Sequence, residues 1–228
     1  AQARATFELI SPHPNWYEQR ADDWWDALCQ SLKGVVAQVG ADRIAALCIT
    51  HQRESFVPVD EQCQPIRNAI LWVDDRCHLE VAELDQRFGN AAIQDLTGKG
   101  PSTKQSLPEL VWLQNHEPEV VRRAYKFLDV HAFLVYRLIG EWVTSLPCAD
   151  PMGVVDMRKG DWATDLIQKI GLRPDQFVTI KPAGSVLGTI HEKAALATGL
   201  PVGLPVVAGA GDGQSAGLGA NITTPGKA

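Results

Sequence analysis

The stretch "LPVVAGAGDGQSAGLGA", residues 204–220, decides how this chain is read. Its first half is apolar and of strand length. Its second half sets glycines and small residues around one carboxylate, Asp212. Gly209, Gly211 and Gly213 remove side-chain bulk from the turn, and Ser215, Ala216 and Gly217 open a helix. Such a junction delivers a carboxylate to a ligand lying close to the backbone, with amide N–H groups nearby for polar or anionic atoms. A carboxylate within reach of a hydroxyl can take its proton as that oxygen attacks phosphorus. Two other readings stand beside this one. Asp212 can be a helix cap and nothing more. Gly211 to Ala216 also fits the G-x-G-x-x-A dinucleotide fingerprint, which needs a further strand and an acidic residue about 20 positions on. Neither follows within the 228 residues, and an aspartate inside the turn would face a pyrophosphate unfavourably.

A second stretch, "ITHQRESFV" (49–57), leaves an apolar run and places Gln52, Arg53 and Glu54 in a row. On an extended chain Arg53 and Glu54 point to opposite faces. Arginine donates in a fixed fork and glutamate accepts, so the two can hold neighbouring hydroxyls of a polyol; a solvated loop is the plainer account. Trp72 closes "NAILW", where an indole can pack on the carbon face of a sugar or simply fill the core. Asp74, Asp75 and Arg76 read as a helix start. The remaining tryptophans are assigned to core or surface anchoring.

Composition narrows the classes. The chain is 45% hydrophobic and 21% charged, with a formal charge of −6, which fits one large soluble domain or two small ones and argues against a broad nucleic-acid surface. No stretch approaches the ~20 apolar residues of a membrane helix, and no signal peptide is expected. Cys29, Cys48, Cys63, Cys77 and Cys148 are scattered and odd in number, as expected of free thiols in a reducing compartment. The six histidines show no ligand spacing, so no metal site is expected from this chain.

The pattern predicts a strand over "AQARATFELI" (1–10). A helix follows, capped by Asp22 with Asp23 and Asp26 in its first turn, and closed by Gly40. Trp24, Leu28, Leu32, Val35 and Val39 share one face of it. A strand is predicted over 43–50, and a hairpin over 55–75 with its turn ending at Pro65. A helical region, 76–139, is broken at Gly89, Gly98–Pro101 and Pro118. "GEWVTS" returns to strand, "GDWATDLIQKIGL" is a helix ended by Gly171, "AGSVLGTI" is a strand and "HEKAALATGL" a helix. Helices alternate with strands, giving a mixed α/β class without repeats.

Four of these segments, in this order, resemble the FGGY carbohydrate kinases. "NWYEQRADDWWDAL" is similar to that family's "GWVEQDPEDWW". "ITHQRESFVPVDEQCQPIRNAILWVDDR" is similar to "ITxQRExxVxxDxxGxPxxxAIxWxDxR", "RLIGEWVTS" to "RLTGEWVTD", and "LPVVAGAGDGQSAGLGA" to "xPVVAGxGDxxAAxxGxG". The resemblance implies a ribonuclease H-like domain of the actin and hexokinase type, with a mixed sheet flanked by helices. It implies transfer of the γ-phosphoryl of Mg-ATP to a hydroxyl of a small sugar or polyol, in the cytoplasm. It makes Asp212 the general base, Arg53, Glu54 and Gln52 hydroxyl-binding groups, Trp72 a wall on the substrate's carbon side, and Gly213 and Gln214 neighbours of the base.

The resemblance also sets expectations about the rest of the kinase. The family's "DxGTxS" phosphate loop would precede residue 1, and its second phosphate motif and adenosine-binding domain would follow residue 228. Residues 1–228 are thus expected to be the sugar-binding half, inactive alone, with ATP and Mg²⁺ held mainly elsewhere. The expected partners are a sugar or polyol and the protein's own C-terminal domain, with neither nucleic acid nor membrane; a homodimer is left open. Departures bear on the substrate. Val73 replaces a frequent glutamine, and "ADPMG" (149–153) stands where many members have "ASRTG". Lys104 and Gln105 stand where the glycerol branch has a tyrosine, and Arg53–Glu54 where xylulokinases often have Met-His. A xylulokinase-like enzyme for a ketose or longer polyol is the compromise; a glycerol- or erythritol-type kinase and a non-catalytic sugar sensor are the alternatives.

Overall fold

Phe56 faces one hydrophobic cluster while its neighbours Val57 and Val59 face another, and this alternation organises the molecule. The computed structural model describes residues 1–227. In chain order it contains β1 (Glu18–Gln19), α1 (Ala21–Val39), β2 (Leu47–Cys48), β3 (Phe56–Val59), β4 (Ala69–Ile70), α2 (His78–Phe88), α3 (Asn90–Thr97), α4 (Ser106–His116), α5 (Pro118–Arg123), β5 (Lys126–Asp129) and α6 (Val130–Ile139). Then come β6 (Val143–Ser145), α7 (Leu146–Ala149), β7 (Val155–Asp156), β8 (Asp161–Trp162), α8 (Thr164–Lys169), β9 (Thr179–Lys181), β10 (Val186–Thr189), α9 (Glu192–Thr198), β11 (Pro205–Val207) and α10 (Asp212–Gly219).

Strands β1-β4-β3-β5 form an antiparallel sheet, and β10-β11-β2 a second sheet in which β11 and β2 run parallel. The first sheet separates two cores. Val57, Val59, Ala69, Leu71 and Leu128 pack with α1, α6 and α9 on one side. Phe56, Ile70 and Phe127 pack with α2, α4 and α8 on the other. The inner strands β3 and β4 are therefore apolar at every position, as expected of strands buried on both faces, while β1 (Glu18–Gln19) and the ends of β5 (Lys126, Asp129) are polar.

The expected hairpin is present. Phe56 pairs with Ile70, and Asp60 builds the turn by accepting the Gln62 and Gln64 amides on Oδ1 at 2.9 and 2.8 Å. Gly40 ends α1 at a φ of 84°, as expected.

Six expectations need correction. The helix read over 160–172 begins only at Thr164, because Asp161–Trp162 pairs as β8 with β7, and Asp74–Arg76 lie in the loop before α2 and do not start it. Residues 1–10 are not a strand: Ile10 alone pairs, with Glu18, and the rest lies along α1, where Ala3 meets Gly34 and the Gln38 carboxamide donates to the Gln2 carbonyl. Asp22 does not cap α1. The helix begins two residues earlier, at Ala21 with Arg20 at the cap, putting Asp26 beyond its first turn, and Asp22 receives an Arg137 hydrogen bond at 2.7 Å from α6. The strand over 43–50 shrinks to Leu47–Cys48, because Ala41–Arg43 forms a tight helical turn. The helical region 76–139 contains β5. Its apolar "FL" reads equally well in either state, and pairing with β3 (Val57 to Leu128, Pro58 to Phe127) decides it.

Candidate active site

Parallel strands β2 and β11 end side by side, and their pairing continues past both as a bridge between His51 and Gly211. The Asp212 N–H donates to the His51 carbonyl at 3.0 Å. The segment carrying Arg53 and Glu54 leaves one strand end, and the glycine turn leaves the other. Ligands in α/β proteins gather at such carboxyl ends of parallel strands. The two segments lie too close for side chains at the contact. A β-carbon on Gly209 would fall 1.8 Å from the Ile49 carbonyl oxygen, and one on Gly211 would fall 2.3 Å from Arg53 Cγ.

Helix α10 starts at Asp212. Its entry is tied by the Gln214 carboxamide oxygen, which accepts the Gly211 N–H at 3.0 Å, while Gln214 Nε2 reaches the Pro147 carbonyl at 3.4 Å. The helix-entry role thus falls to Gln214. Asp212 is left exposed, with one local bond, accepted from the Gly213 N–H at 2.8 Å. Around Gly213 nothing lies within 4 Å of where a β-carbon would sit, so a reactant can approach the carboxylate over it.

Glu54 adopts a left-handed backbone, φ 64°, and its carbonyl accepts the Ser106 hydroxyl at 2.6 Å. For a glutamate this conformation costs on the order of 1–3 kcal/mol, a kind of strain that clusters at functional sites. Arg53 Nη2 lies 3.6 Å from Glu54 Oε1 and 3.7 Å from Asp150 Oδ2, and buried Arg53 Nε has no hydrogen-bond partner within the chain. Lys99 Nζ donates to Asp150 Oδ1 at 2.5 Å and to the Asp150 carbonyl at 3.2 Å. Burial raises the Glu54 carboxyl above the ordinary range; Arg53 and Lys99 oppose the rise, and Asp150 and Asp212 add to it. The result is a row of alternating donors and acceptors beside Asp212, with hydrogen-bonding capacity unused on Arg53.

The structure thus brings Arg53, Glu54, Asp212, Gly213 and Gln214 together. Trp72 lies two residues beyond β4, its backbone N–H donating to Ser55 Oγ at 3.2 Å, and it stays 47% exposed, so it is a surface residue and not a core one. The loop after Trp72 is held from below: Lys104 Nζ donates to the Val73 carbonyl at 3.2 Å, and buried Arg76 binds Asp74 and Glu18 while stacking on Trp16. Gln52 points elsewhere. Its carboxamide donates to Gln19 Oε1 at 3.2 Å, which also accepts the Trp24 indole N–H, and it borders an apolar groove with Leu28 and Leu134. Lys99 and Asp150 were missed in the sequence. The oddity of "ADPMG" was their one signal, and it gave no hint of a partner 51 residues away.

For Mg-ATP this surface offers space and a carboxylate. The Gly211, Asp212 and Gly213 amides are already bound within the chain, and no three acidic, histidine or cysteine side chains converge as metal ligands among the described residues. The donor set fits the acceptor side of a phosphoryl transfer, where hydroxyls are held and a proton is taken.

The comparisons with known proteins agree with this geometry. A xylulose kinase of Escherichia coli is 31% identical over 211 residues, covering 92% of this chain and 43% of that protein. A glycerol kinase of Thermococcus kodakarensis is 31% identical, covering 90% of this chain and 41% of that protein. The crystal structure of a xylulose kinase from Rhodospirillum rubrum superimposes with a TM-score of 0.92 at 32% identity, over 96% of this chain and 46% of that one. The likeness bears out the ribonuclease H-like α/β fold expected from the sequence. This chain spans less than half the length of the curated relatives it matches. The profile of the N-terminal domain of the FGGY carbohydrate kinases matches residues 1–219, and the chain belongs to that family.

Proposed function

We propose that this chain is the substrate-binding half of an ATP-dependent sugar or polyol kinase, with Asp212 as general base. The observation that carries this reading is the parallel pairing of β11 with β2, continued at His51 and Gly211, which sets the exposed Asp212 carboxylate beside Arg53 and Glu54. Arg53 donates to substrate oxygens, Glu54 accepts from a hydroxyl, and Trp72 covers the carbon face. The accepting hydroxyl lies against Asp212, which takes its proton as the oxygen attacks. ATP, when bound, supplies the phosphoryl group, and the rest of the kinase holds the nucleotide and Mg²⁺. Domain closure over the site excludes water as a competing acceptor.

The cluster favours a neutral substrate. The carboxylates Glu54, Asp150 and Asp212 face two cations, Arg53 and Lys99, so an aldonate meets net negative charge. A ketose or polyol is the expected class, in keeping with relatives named xylulose kinase and glycerol kinase. The five cysteines are free, in keeping with a cytoplasmic enzyme.

The test is coupled ADP release by the kinase containing this chain, with Mg-ATP and xylulose, ribulose, glycerol, erythritol, xylitol, arabitol or gluconate. Turnover with a neutral member and none with gluconate is the expected result. ATP binding without turnover on any member would refute the reading. Residues 1–228 alone are expected to release no ADP.

A further inference from the structure

Three residues before Asp212, the Gly209 peptide is gripped on both sides by buried side chains outside the site. Its N–H donates to His131 Nε2 at 3.2 Å, and its carbonyl accepts the Ser145 hydroxyl at 2.6 Å. His131 and Ser145 are fully buried. The chain of bonds continues inward. His131 Nδ1 lies 3.2 Å from Thr144 Oγ1, and the Thr144 hydroxyl donates to Asp129 Oδ2 at 2.9 Å. Asp129 Oδ1 accepts the Ala132 N–H at 2.9 Å, capping α6.

The directions are forced. The Gly209 amide can only donate, so Nε2 carries no proton and Nδ1 does. Nδ1–H then donates to Thr144, whose single hydroxyl proton goes to Asp129. Every donor in the row points from the glycine turn toward the Asp129 carboxylate. The Gly209 amide has no water to turn to instead, because the residue is buried. Burial also pulls the imidazole down to about 4, against the pull of Asp129 and with a small push from His51, so the ring stays neutral and Nε2 stays an acceptor.

We propose that His131 is a positioning residue for the reaction: its unprotonated Nε2 anchors Gly209 and so fixes the turn that carries Asp212. It touches no reactant. The proposal rests on Asp212 being the base, and its test separates the two. His131→Leu keeps the bulk and removes the acceptor, whereas His131→Gln returns an oxygen near the Nε2 position.

The first measurement is long-range ¹H–¹⁵N correlation of His131 in the wild-type chain, which reads the tautomer without any variant. A proton on Nδ1 is expected; a proton on Nε2 overturns the proposal. The second is amide exchange at Gly209. His131→Leu is expected to speed it about 10- to 100-fold, on the scale of one lost buried hydrogen bond, with His131→Gln close to wild type. The third is ADP release in the kinase containing this chain, with xylulose and glycerol as probes. His131→Leu is expected to lower kcat about 100-fold with KM little changed, the scale of a small misplacement of a catalytic group, and His131→Gln to restore most of it. Unchanged Gly209 exchange or unchanged kcat in a folded His131→Leu protein overturns the proposal. If Asp212→Asn keeps its kcat while the tautomer and exchange results hold, the base assignment fails and the anchor stands as a structural device.

Discussion

Gly211 lies against the side chain of Arg53, with the ideal position of its missing β-carbon 2.3 Å from Arg53 Cγ and 2.5 Å from Cδ. The turn bearing the proposed base and the proposed substrate-binding arginine are therefore one packed unit. Gly211→Ala is expected to displace Arg53 and weaken sugar affinity about 10-fold, the scale of one charged hydrogen bond, with little change in folding stability. Gly217→Ala, inside α10, is the control: its β-carbon enters open space away from the turn, and helix propensity is expected to raise stability by up to about 1 kcal/mol. Calorimetric sugar titration and urea unfolding of both variants check this. Equal affinities for the two would contradict the packing argument.

Removing the base should act on turnover. Asp212→Asn keeps the size of the side chain and abolishes proton acceptance, so kcat is expected to fall about 10²- to 10⁴-fold while KM for the sugar holds. Steady-state kinetics of the kinase carrying the substitution decide it. A raised KM with kcat intact would move Asp212 from base to binding group.

The bond from Lys99 to Asp150 holds the Asp150 carboxylate beside Arg53. Lys99→Met removes the cation and leaves the site more negative by one charge. The expected outcome is a loss of about 10-fold in affinity for a neutral polyol, an effect that added salt only partly changes because the Lys99 and Asp150 side chains are three-quarters or more buried. Unchanged affinity would show that Asp150 is held by the backbone of its turn and not by Lys99.

The buried histidine sets a pH dependence of stability. Unfolded His131 titrates near 6.5 and folded His131 near 4, so between those values the unfolded chain binds the extra proton. Stability is fully present above about 6.5 and declines as pH falls toward 4, by up to about 3 kcal/mol from this residue. Urea midpoints across that window, wild type against His131→Gln, isolate the contribution. A slope that the substitution leaves untouched would place the acid sensitivity in other groups.

Buried Glu109 works in the opposite sense. Neither of its carboxyl oxygens has a hydrogen-bond partner, and burial, aided by Asp74 and opposed by Arg76 and Arg67, raises it well above the ordinary carboxyl range. The folded state therefore keeps a proton that the unfolded chain releases, and stability declines as pH rises from about 4.5 toward the raised value. Glu109→Met, nearly the same in volume, is expected to raise stability at pH 7 and remove that decline. Thermal unfolding at pH 5 and pH 8 compares them; a less stable variant at pH 8 would mean that the carboxylate is paired there.

Local chemistry settled a good part of this molecule. Asp60 makes its own turn by accepting two amides within four residues, so the hairpin could be read directly. Gly40 and Gly171 end or follow helices at positive φ, a conformation few other residues adopt readily, and they were legible for that reason. The Asp212 turn was legible because glycines at a strand–helix junction have a steric meaning even in isolation. Long-range packing settled the rest. The "FL" of β5 became strand because β3 offered a partner on its open edge. Gln52, adjacent to Arg53 in sequence, went to Gln19, while Arg53 and Glu54 came together because the chain turns at Glu54 with φ 64°. Lys99 met Asp150 across 51 residues, and His131 met Gly209 across 78. No spacing rule encodes such pairs, since each depends on where separate elements dock. The charges and hydroxyls were visible in the sequence, but which of them share a hydrogen bond was decided by the fold that buries them together.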